Sequence, residues 1–156
     1  MATDIDPLES VNTLLSNNWN DVNTDSITPT FDKIYNQPKD LDLRNNDYIL
    51  TYSIATNMGF SGIGSAAVAN VDEAVMIDIR VGITGTETVS SPGDAHARKV
   101  KAEVQRILFS NRANPDSNFS ELNPYNQWID KSDKMRRIYR YLIQVNLVSN
   151  CRDMTA

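Results

Sequence analysis

The segment VDEAVMIDIRVGI, residues 71–83, decides the fold. Apolar and polar side chains alternate along it with a period of two, the pattern of a strand with one buried face. The apolar side consists of Val71, Val75, Ile77, Ile79, Val81 and Ile83, and the polar side includes Asp72, Asp78, Arg80 and Thr84. We therefore predict a long strand at the centre of the fold.

Three further segments predict strands on either side of this one. Residues 28–35 and 48–55 precede it, and Tyr48, Leu50, Tyr52 and Ile54 share one face of the second. Residues 135–148 alternate again and would span roughly 45 Å as a strand. The opening of that last segment, residues 131–140, also fits a helix. A polar loop is expected over residues 111–126.

Two amphipathic helices complete the prediction. Asp6 is suited to cap the first helix, with Pro7 at the first helical position and Glu9 placed as in a capping box. Ser91 and Pro92 start the second helix in the same way. Its expected buried stripe is Ala97, Val100, Val104, Ile107 and Leu108, and its expected solvated side is Lys99, Lys101, Glu103 and Arg106.

This order of elements predicts an α+β fold. We expect a single domain over residues 6–148, with a mixed, mostly antiparallel sheet of about four strands and two helices on one face. Residues 1–5 and 149–156 are expected to be flexible ends.

The charge is distributed unevenly along the chain. The net charge is −5, but residues 1–94 carry 4 basic and 14 acidic side chains, and residues 95–156 carry 11 basic and 6 acidic ones. Such a chain does not have the net basic charge of a nucleic-acid-binding domain. The split permits complementary faces that meet head to tail in a ring, although both faces could also be simply solvated.

Several classes of protein are disfavoured by what the sequence lacks. It has no apolar run of eighteen residues and no secretory signal at its N-terminus. Cys151 is its only cysteine, so no disulfide can form within one chain, which fits assembly inside a cell.

The sequence also offers little for catalysis or metal binding. His96 is the only histidine and is expected at the surface of the second helix, beside Arg98 and Lys99. The carboxylate pairs Asp40/Asp42 and Asp72/Glu73 are interpreted as solvated charges. We predict no enzyme activity, no catalytic residue, no metal and no cofactor.

A glycine-containing apolar segment, residues 56–70, is predicted to be a loop. Its GxxGxG spacing is not the GxGxxG of a dinucleotide site, and a strand rather than a helix follows it. It is either a plain connection or an assembly loop, because Met58, Phe60 and Ile63 are costly to leave in water. A nucleotide site is the least favoured interpretation.

A basic group near the start of the last strand is the strongest electrostatic feature. It consists of Lys134, Arg136, Arg137 and Arg140. It is the polar side of a half-exposed strand, a contact for an acidic neighbour, or a nucleic-acid contact; the last is disfavoured because few aromatic residues are interleaved. With Met58, Phe60 and Ile63, it forms the candidate assembly interface.

Taken in order, the elements resemble a known family. They read DPLESVNTLL, TFDKIYN, DYILTYSI, VDEAVMIDIRVGI, DAHARKVKAEVQRIL and RRIYRYLIQVNLV. Over roughly residues 6–148 this order is similar to the tail terminator (tail-completion) proteins of tailed bacterial and archaeal viruses.

The resemblance implies a virion structural protein at the tail–neck junction, assembled in the host cytoplasm. Such proteins form a ring, usually of six subunits, that ends the tail tube and joins it to neck or head-completion proteins. DNA would pass through the ring without sequence-specific contacts, and the resemblance implies no membrane partner and no catalytic residues.

Two alternatives stay open at this stage. The first is a head–tail connector or other neck protein, which differs in its partner rather than its chemistry. The second is a small ligand- or nucleotide-binding regulatory module that uses the glycine-containing segment.

Overall fold

The computed structural model describes residues 5–35, 46–60, 68–81, 92–133 and 138–153. Within these ranges, it describes the backbone alone for residues 57–60, 68–70, 92–94 and 150–153. The described residues form two α-helices, one 3₁₀ helix and six strands. In chain order the elements are α1 (Pro7–Asn18), the 3₁₀ helix (Asp21–Thr24), β1 (Thr30–Lys33), β2 (Tyr48–Phe60), β3 (Val68–Val81), α2 (Pro92–Ser110), β4 (Glu121–Pro124), β5 (Ile129–Asp130) and β6 (Tyr139–Asp153).

The six strands form one mixed sheet. Its order is β1-β2-β3-β6-β4, with β5 also paired to β6. Only β1 and β2 run parallel, and every other pair is antiparallel. The predicted α+β domain with a mostly antiparallel sheet is confirmed, but the strand count is larger than predicted. The reason is that the expected loop over residues 111–126 contains β4, whose four residues are too short for a periodic signal, and β5 follows it.

One face of the sheet, called the inner face, is buried under both helices. Strand alternation sends Val75, Ile77 and Ile79 to this face, where none of the three is exposed. The rest of the core comes from the helices and the neighbouring strands: Leu8, Val11, Leu15, Ile49, Val100, Val104, Ile107, Phe119, Leu122, Ile143 and Val145. The opposite face is called the outer face.

Helix α1 begins as the sequence predicts. The Asp6 carboxylate accepts a hydrogen bond from the Leu8 amide at 3.0 Å, and Pro7 occupies the first turn. Glu9 makes an ion pair with Lys33 of β1. Its carboxylate therefore also ties the first turn of α1 to the edge strand of the sheet.

Strands β2 and β3 are longer than predicted. Residues 56–60 continue β2 and residues 68–70 begin β3, so the expected loop over residues 56–70 is wrong at both ends. Residues 61–67 lie outside the described ranges. Strand β6 ends at Asp153, five residues beyond the predicted boundary at Val148.

Helix α2 contains two polar residues that the sequence analysis expected at the surface. Glu103 is only 2% exposed, and it accepts hydrogen bonds from the Asn20 amide at 3.0 Å and the Asn23 side chain at 2.9 Å. It also pairs with Arg106. The predicted position of Glu103 on the solvated side of α2 is therefore wrong. Its carboxylate accepts from N–H donors of the segment that follows α1, and buried donors require such an acceptor.

His96 is also buried, with 9% of its surface exposed, so its predicted surface position is wrong. Its Nδ1 lies 2.8 Å from Asp25 Oδ2, and its Nε2 lies 2.6 Å from Asp47 Oδ2. The imidazole thus joins α2 to the turn after the 3₁₀ helix and to the residue before β2. Lys99 adds a second cation, 2.5 Å from Asp25 Oδ1.

This arrangement favours the protonated imidazole. Both ring nitrogens face carboxylates, and only the imidazolium can donate from both. The hydrogen bond to Asp47, opposed by burial and helped by Asp25, raises the pKa of His96 above its ordinary value of 6.5.

Neither α1 nor α2 combines the length and apolar composition that a membrane-spanning helix needs, within the part of the chain described.

The buried His96 predicts that stability depends on pH. Because the folded-state pKa is raised, the stabilisation is fully present below about pH 6.5 and is lost as pH rises through the folded-state pKa. We expect the melting temperature to fall across this interval in the wild type and to change less in His96→Gln. Thermal unfolding followed by circular dichroism at a series of pH values measures this, and parallel curves for the two proteins would contradict it.

Candidate assembly surface

The outer face of the sheet lies opposite both described helices, since α1 and α2 pack on the inner face. It is partly buried, because Leu50 and Leu142 on it are 0% and 6% exposed. Three neighbouring strands contribute to it in register. Its residues are Tyr48, Leu50 and Tyr52 from β2, Met76, Asp78 and Arg80 from β3, and Arg140, Leu142 and Gln144 from β6.

An arginine cluster, defined as Asp78, Arg80 and Arg140, lies on this face. Asp78 and Arg80 are two residues apart on β3 and therefore point the same way. Arg140 of β6 lies directly opposite Arg80 in the antiparallel register. This places both guanidinium groups next to one carboxylate.

Both arginines make more than one contact with Asp78. Arg80 donates to Asp78 Oδ2 from Nη2 at 3.0 Å and from Nε at 3.3 Å. Arg140 donates from Nη2 to Oδ2 at 2.9 Å and from Nε to Oδ1 at 3.1 Å. Such charge-assisted bonds fix the planes of the two guanidinium groups.

The exposure of the three side chains differs sharply. The Asp78 side chain is 0% exposed, whereas those of Arg80 and Arg140 are 26% and 35% exposed. A buried carboxylate is tolerated only when it is paired. Two arginines around one carboxylate leave a net charge of +1, and the solvent-accessible part of that charge lies on the guanidinium groups.

Tyr52 borders the arginine cluster. Burial, together with the negative charge of Asp78, raises the pKa of Tyr52, so its hydroxyl stays protonated. The hydrogen bonds to Asp78 raise the pKa of Arg140. The Arg140 guanidinium therefore keeps its positive charge, and its fixed N–H groups are donors suited to a carboxylate.

Among the predicted interface residues whose side chains the structure describes, Arg140 lies on this surface. Arg140 belongs to the arginine cluster, while Met58 and Phe60 lie in β2, where only the backbone is described. Ile63, Lys134, Arg136 and Arg137 lie outside the described residues. The sequence analysis did not select Asp78, Arg80 or Tyr52 for the site. All three fall on polar or outward positions of predicted strands, but only the pairing register shows that Arg80 faces Arg140.

A second feature is the strand extension, defined as residues 52–60 of β2, 68–74 of β3 and 146–153 of β6. Strand β1 pairs with β2 only from Tyr48 to Thr51, and β4 pairs with β6 only from Val145 to Val148. The three long strands therefore continue beyond both of their short neighbours. Ile54, at the start of the extension, is 45% exposed.

An open cleft of about 480 Å³ lies where the strand extension meets the start of α1. Its polar lining includes Asp6, which accepts a hydrogen bond from Tyr35 Oη at 2.5 Å, and Glu73, which accepts one from Thr56 Oγ1 at 2.6 Å. Glu73 is only 7% exposed, so its interpretation as a solvated charge is wrong. Two carboxylates make this cleft unsuited to a phosphate group.

Within the described ranges, no group of three or more His, Cys, Asp or Glu side chains is placed to hold a metal ion. The carboxylates around His96 are each within hydrogen-bonding distance of its ring nitrogens.

Comparisons with known proteins do not assign this chain to a family. No family model matches this chain, and no curated protein matches it. One structural match is the cryo-EM structure of the sheath/tube terminator of an extracellular contractile injection system, PVC, in its extended state. The match covers 99% of this chain and 60% of that one, with 9% identity and a TM-score of 0.36. This chain thus spans 60% of the length of that protein, and a likeness this weak supports no conclusion about fold or role.

The arginine cluster predicts an asymmetry between two substitutions. Asp78→Ala leaves two arginines facing each other without an anion and is expected to lower the free energy of unfolding by about 3 kcal/mol. Arg80→Gln leaves the Asp78–Arg140 pair intact and is expected to cost about 1 kcal/mol. Urea unfolding measures both, and equal losses would show that Asp78 is not the centre of the cluster.

Proposed function

We propose that this protein is a virion structural protein that forms a ring at the tail–neck junction. The ring would consist of six subunits, end the tail tube and join it to neck or head-completion proteins. It would be assembled in the host cytoplasm, would act without catalysis or a cofactor, and would let DNA pass without reading its sequence.

The observation that carries this proposal is the arginine cluster on the outer face, where both guanidinium groups are partly exposed. Arg80 and Arg140 are held in place by a fully buried carboxylate and still expose about a quarter and a third of their side chains. Fixed guanidinium groups on a sheet face are suited to bind carboxylates of a protein partner. A surface of this kind supports docking rather than turnover of a small substrate.

The order of the elements supports the same role. The order of helix, strands, helix and final strand that resembles the tail terminator family is present in the structure, with β4 and β5 added between α2 and β6. The strand extension reaches past the short neighbouring strands and gives each subunit a feature that a neighbour could contact.

The net charge is compatible with passage of DNA. Six copies at −5 each would carry a formal charge of about −30. An acidic ring would repel the phosphate backbone and would not grip DNA as it moves through.

The proposal predicts a closed oligomer that binds the ends of tail tubes. We expect mass photometry of the purified protein, alone or with tail tubes, to show a discrete oligomer, and electron microscopy to show density at tube ends. We expect Arg80→Gln, which removes the excess positive charge of the cluster, to weaken tube binding about tenfold. The binding of the wild type should also weaken with added salt, because the contact is electrostatic.

Arg98→Gln is the matched control, because it removes an exposed arginine from α2 and leaves the outer face unchanged. A wild-type protein that stays monomeric at high concentration with and without tail tubes would contradict the proposed function. So would turnover of a substrate. Equal tube binding by Arg80→Gln and Arg98→Gln would remove the outer face from the contact.

A further inference from the structure

The outer edge of β2 carries an unusually long run of backbone with no strand beside it. From Tyr52 to Phe60, eight of the nine residues of β2 pair with β3 on one side, with Ile54 left out in a β-bulge, and no described residue pairs with this run on the other side. The sequence of this run, YSIATNMGF, contains no charged residue and no proline. Edge strands that must stay unpaired usually carry such residues, so this edge is suited to accept another strand.

Strand β6 has a second open edge at the other side of the same extension. Beyond Val148, where the Ser120 amide donates to its carbonyl at 2.8 Å, residues 149–153 pair only with β3 among the described residues. These five residues extend over about 16 Å. The strand extension thus has an open edge on each side, one from β2 and one from β6.

We propose that the open edge of β6 in one copy of this chain pairs with the open edge of β2 in the next copy. The inference rests on the proposed ring and names the contact that builds it. The two edges are different surfaces of one subunit, so the contact is head to tail. Repeated by a rotation, such a contact closes into a ring.

The directions of the strands fit this contact. Within one copy, β2 and β6 are both antiparallel to β3 and therefore run parallel to each other. A rotation about an axis along the strands preserves their direction. The β6 edge of one subunit would consequently meet the β2 edge of the next as a parallel pair. Met58 and Ser149 are both opposite Val71, and Phe60 and Arg152 are both opposite Ala69, so the open edge of β6 would lie beside residues 58–60 of β2.

The charges of the two sides of the subunit favour the same partner. The sheet order places β1 and β2, from the half of the chain with 14 acidic and 4 basic residues, at one side. It places β6 and β4, from the half with 11 basic and 6 acidic residues, at the other side. Pairing between copies brings a strand from the basic half of the chain against a strand from the acidic half, which a contact between two identical edges would not do.

Cys151 makes the inference testable, because the only cysteine of the chain lies within the open edge of β6. In one copy β3 separates β6 from β2, so their Cα atoms lie about 9.6 Å apart, two strand spacings. A disulfide requires roughly 4.4–6.8 Å between Cα atoms. A cysteine placed in β2 can therefore bond to Cys151 only of another copy.

The experiment replaces each residue from Thr56 to Phe60 in turn by cysteine, because Cys151 is level with Gly59 across β3. Five consecutive positions include side chains on both faces of the strand. They are also as many residues as the open edge of β6 contains, so the scan covers several possible registers of the contact. The full-length variants are oxidised with copper phenanthroline in air and separated without reductant. We expect at least one position to give a ladder of disulfide-linked species that extends beyond the dimer, at least tenfold above background, and that disappears with reductant.

Three controls set the background. Gln105→Cys places a cysteine at an exposed position of α2, the wild type carries Cys151 alone, and Cys151→Ser combined with the best β2 position removes the partner thiol. Circular dichroism checks that each variant is folded.

Each contrary result has a distinct meaning. A discrete oligomer in mass photometry with no cross-link above the Gln105→Cys background would overturn the edge pairing and leave the proposed ring intact. Linked dimers that never extend further would show a two-fold contact and overturn the head-to-tail arrangement. A monomer without cross-links would overturn both the edge pairing and the proposed function.

Discussion

The alternation of side chains along β3 is the constraint on which the rest of the structure depends. Because β3 lies between β2 and β6 in the sheet, its residues have cross-strand neighbours on both sides. Its inner positions, such as Val75 and Ile77, meet the helices and form the core. Its outer positions are consequently displayed on the opposite face, where Asp78 and Arg80 build the arginine cluster. A shift of one residue in this strand would bury the charges and expose the core.

Buried ionic contacts add further links between α2 and the segments that follow α1 and precede β2. His96 ties α2 to the turn at Asp25 and to Asp47 at the start of β2, and Glu103 binds the backbone and side chains that follow α1. Each of these groups would be costly in the interior if it lost its partners. They therefore orient the helices against the sheet more specifically than apolar contacts could.

The unequal lengths of the strands give the molecule its open surfaces. Strands β1 and β4 have four residues each, while β2, β3 and β6 have 13, 14 and 15. The short strands form hydrogen bonds with only part of the backbone N–H and C=O groups of their long neighbours. One remaining edge belongs to a stretch of β2 without charges or proline, and the other belongs to residues 149–153 of β6. The mismatch in strand length therefore leaves backbone of both strands without a neighbour among the described residues.

The sequence by itself determined the α+β class, the start of α1 at Asp6 and Pro7, the buried stripe of α2 and the two faces of β3. These features follow from local periodicity and capping, which depend on residues a few positions apart. It could not locate β4 or β5, because two to four residues carry no periodic signal. It also placed His96, Glu103 and Glu73 at the surface, since a polar side chain is expected there unless a distant partner is known.

Tertiary structure alone decided the candidate site. Arg140 was selected from the sequence as part of a basic group, but its relation to Asp78 and Arg80 depends on a pairing register that spans 62 residues of chain. The open edges likewise depend on where the short strands stop beside the long ones. Local sequence specifies which face each side chain takes, whereas contacts between distant segments decide which side chains meet and which backbone groups are left to pair with another molecule.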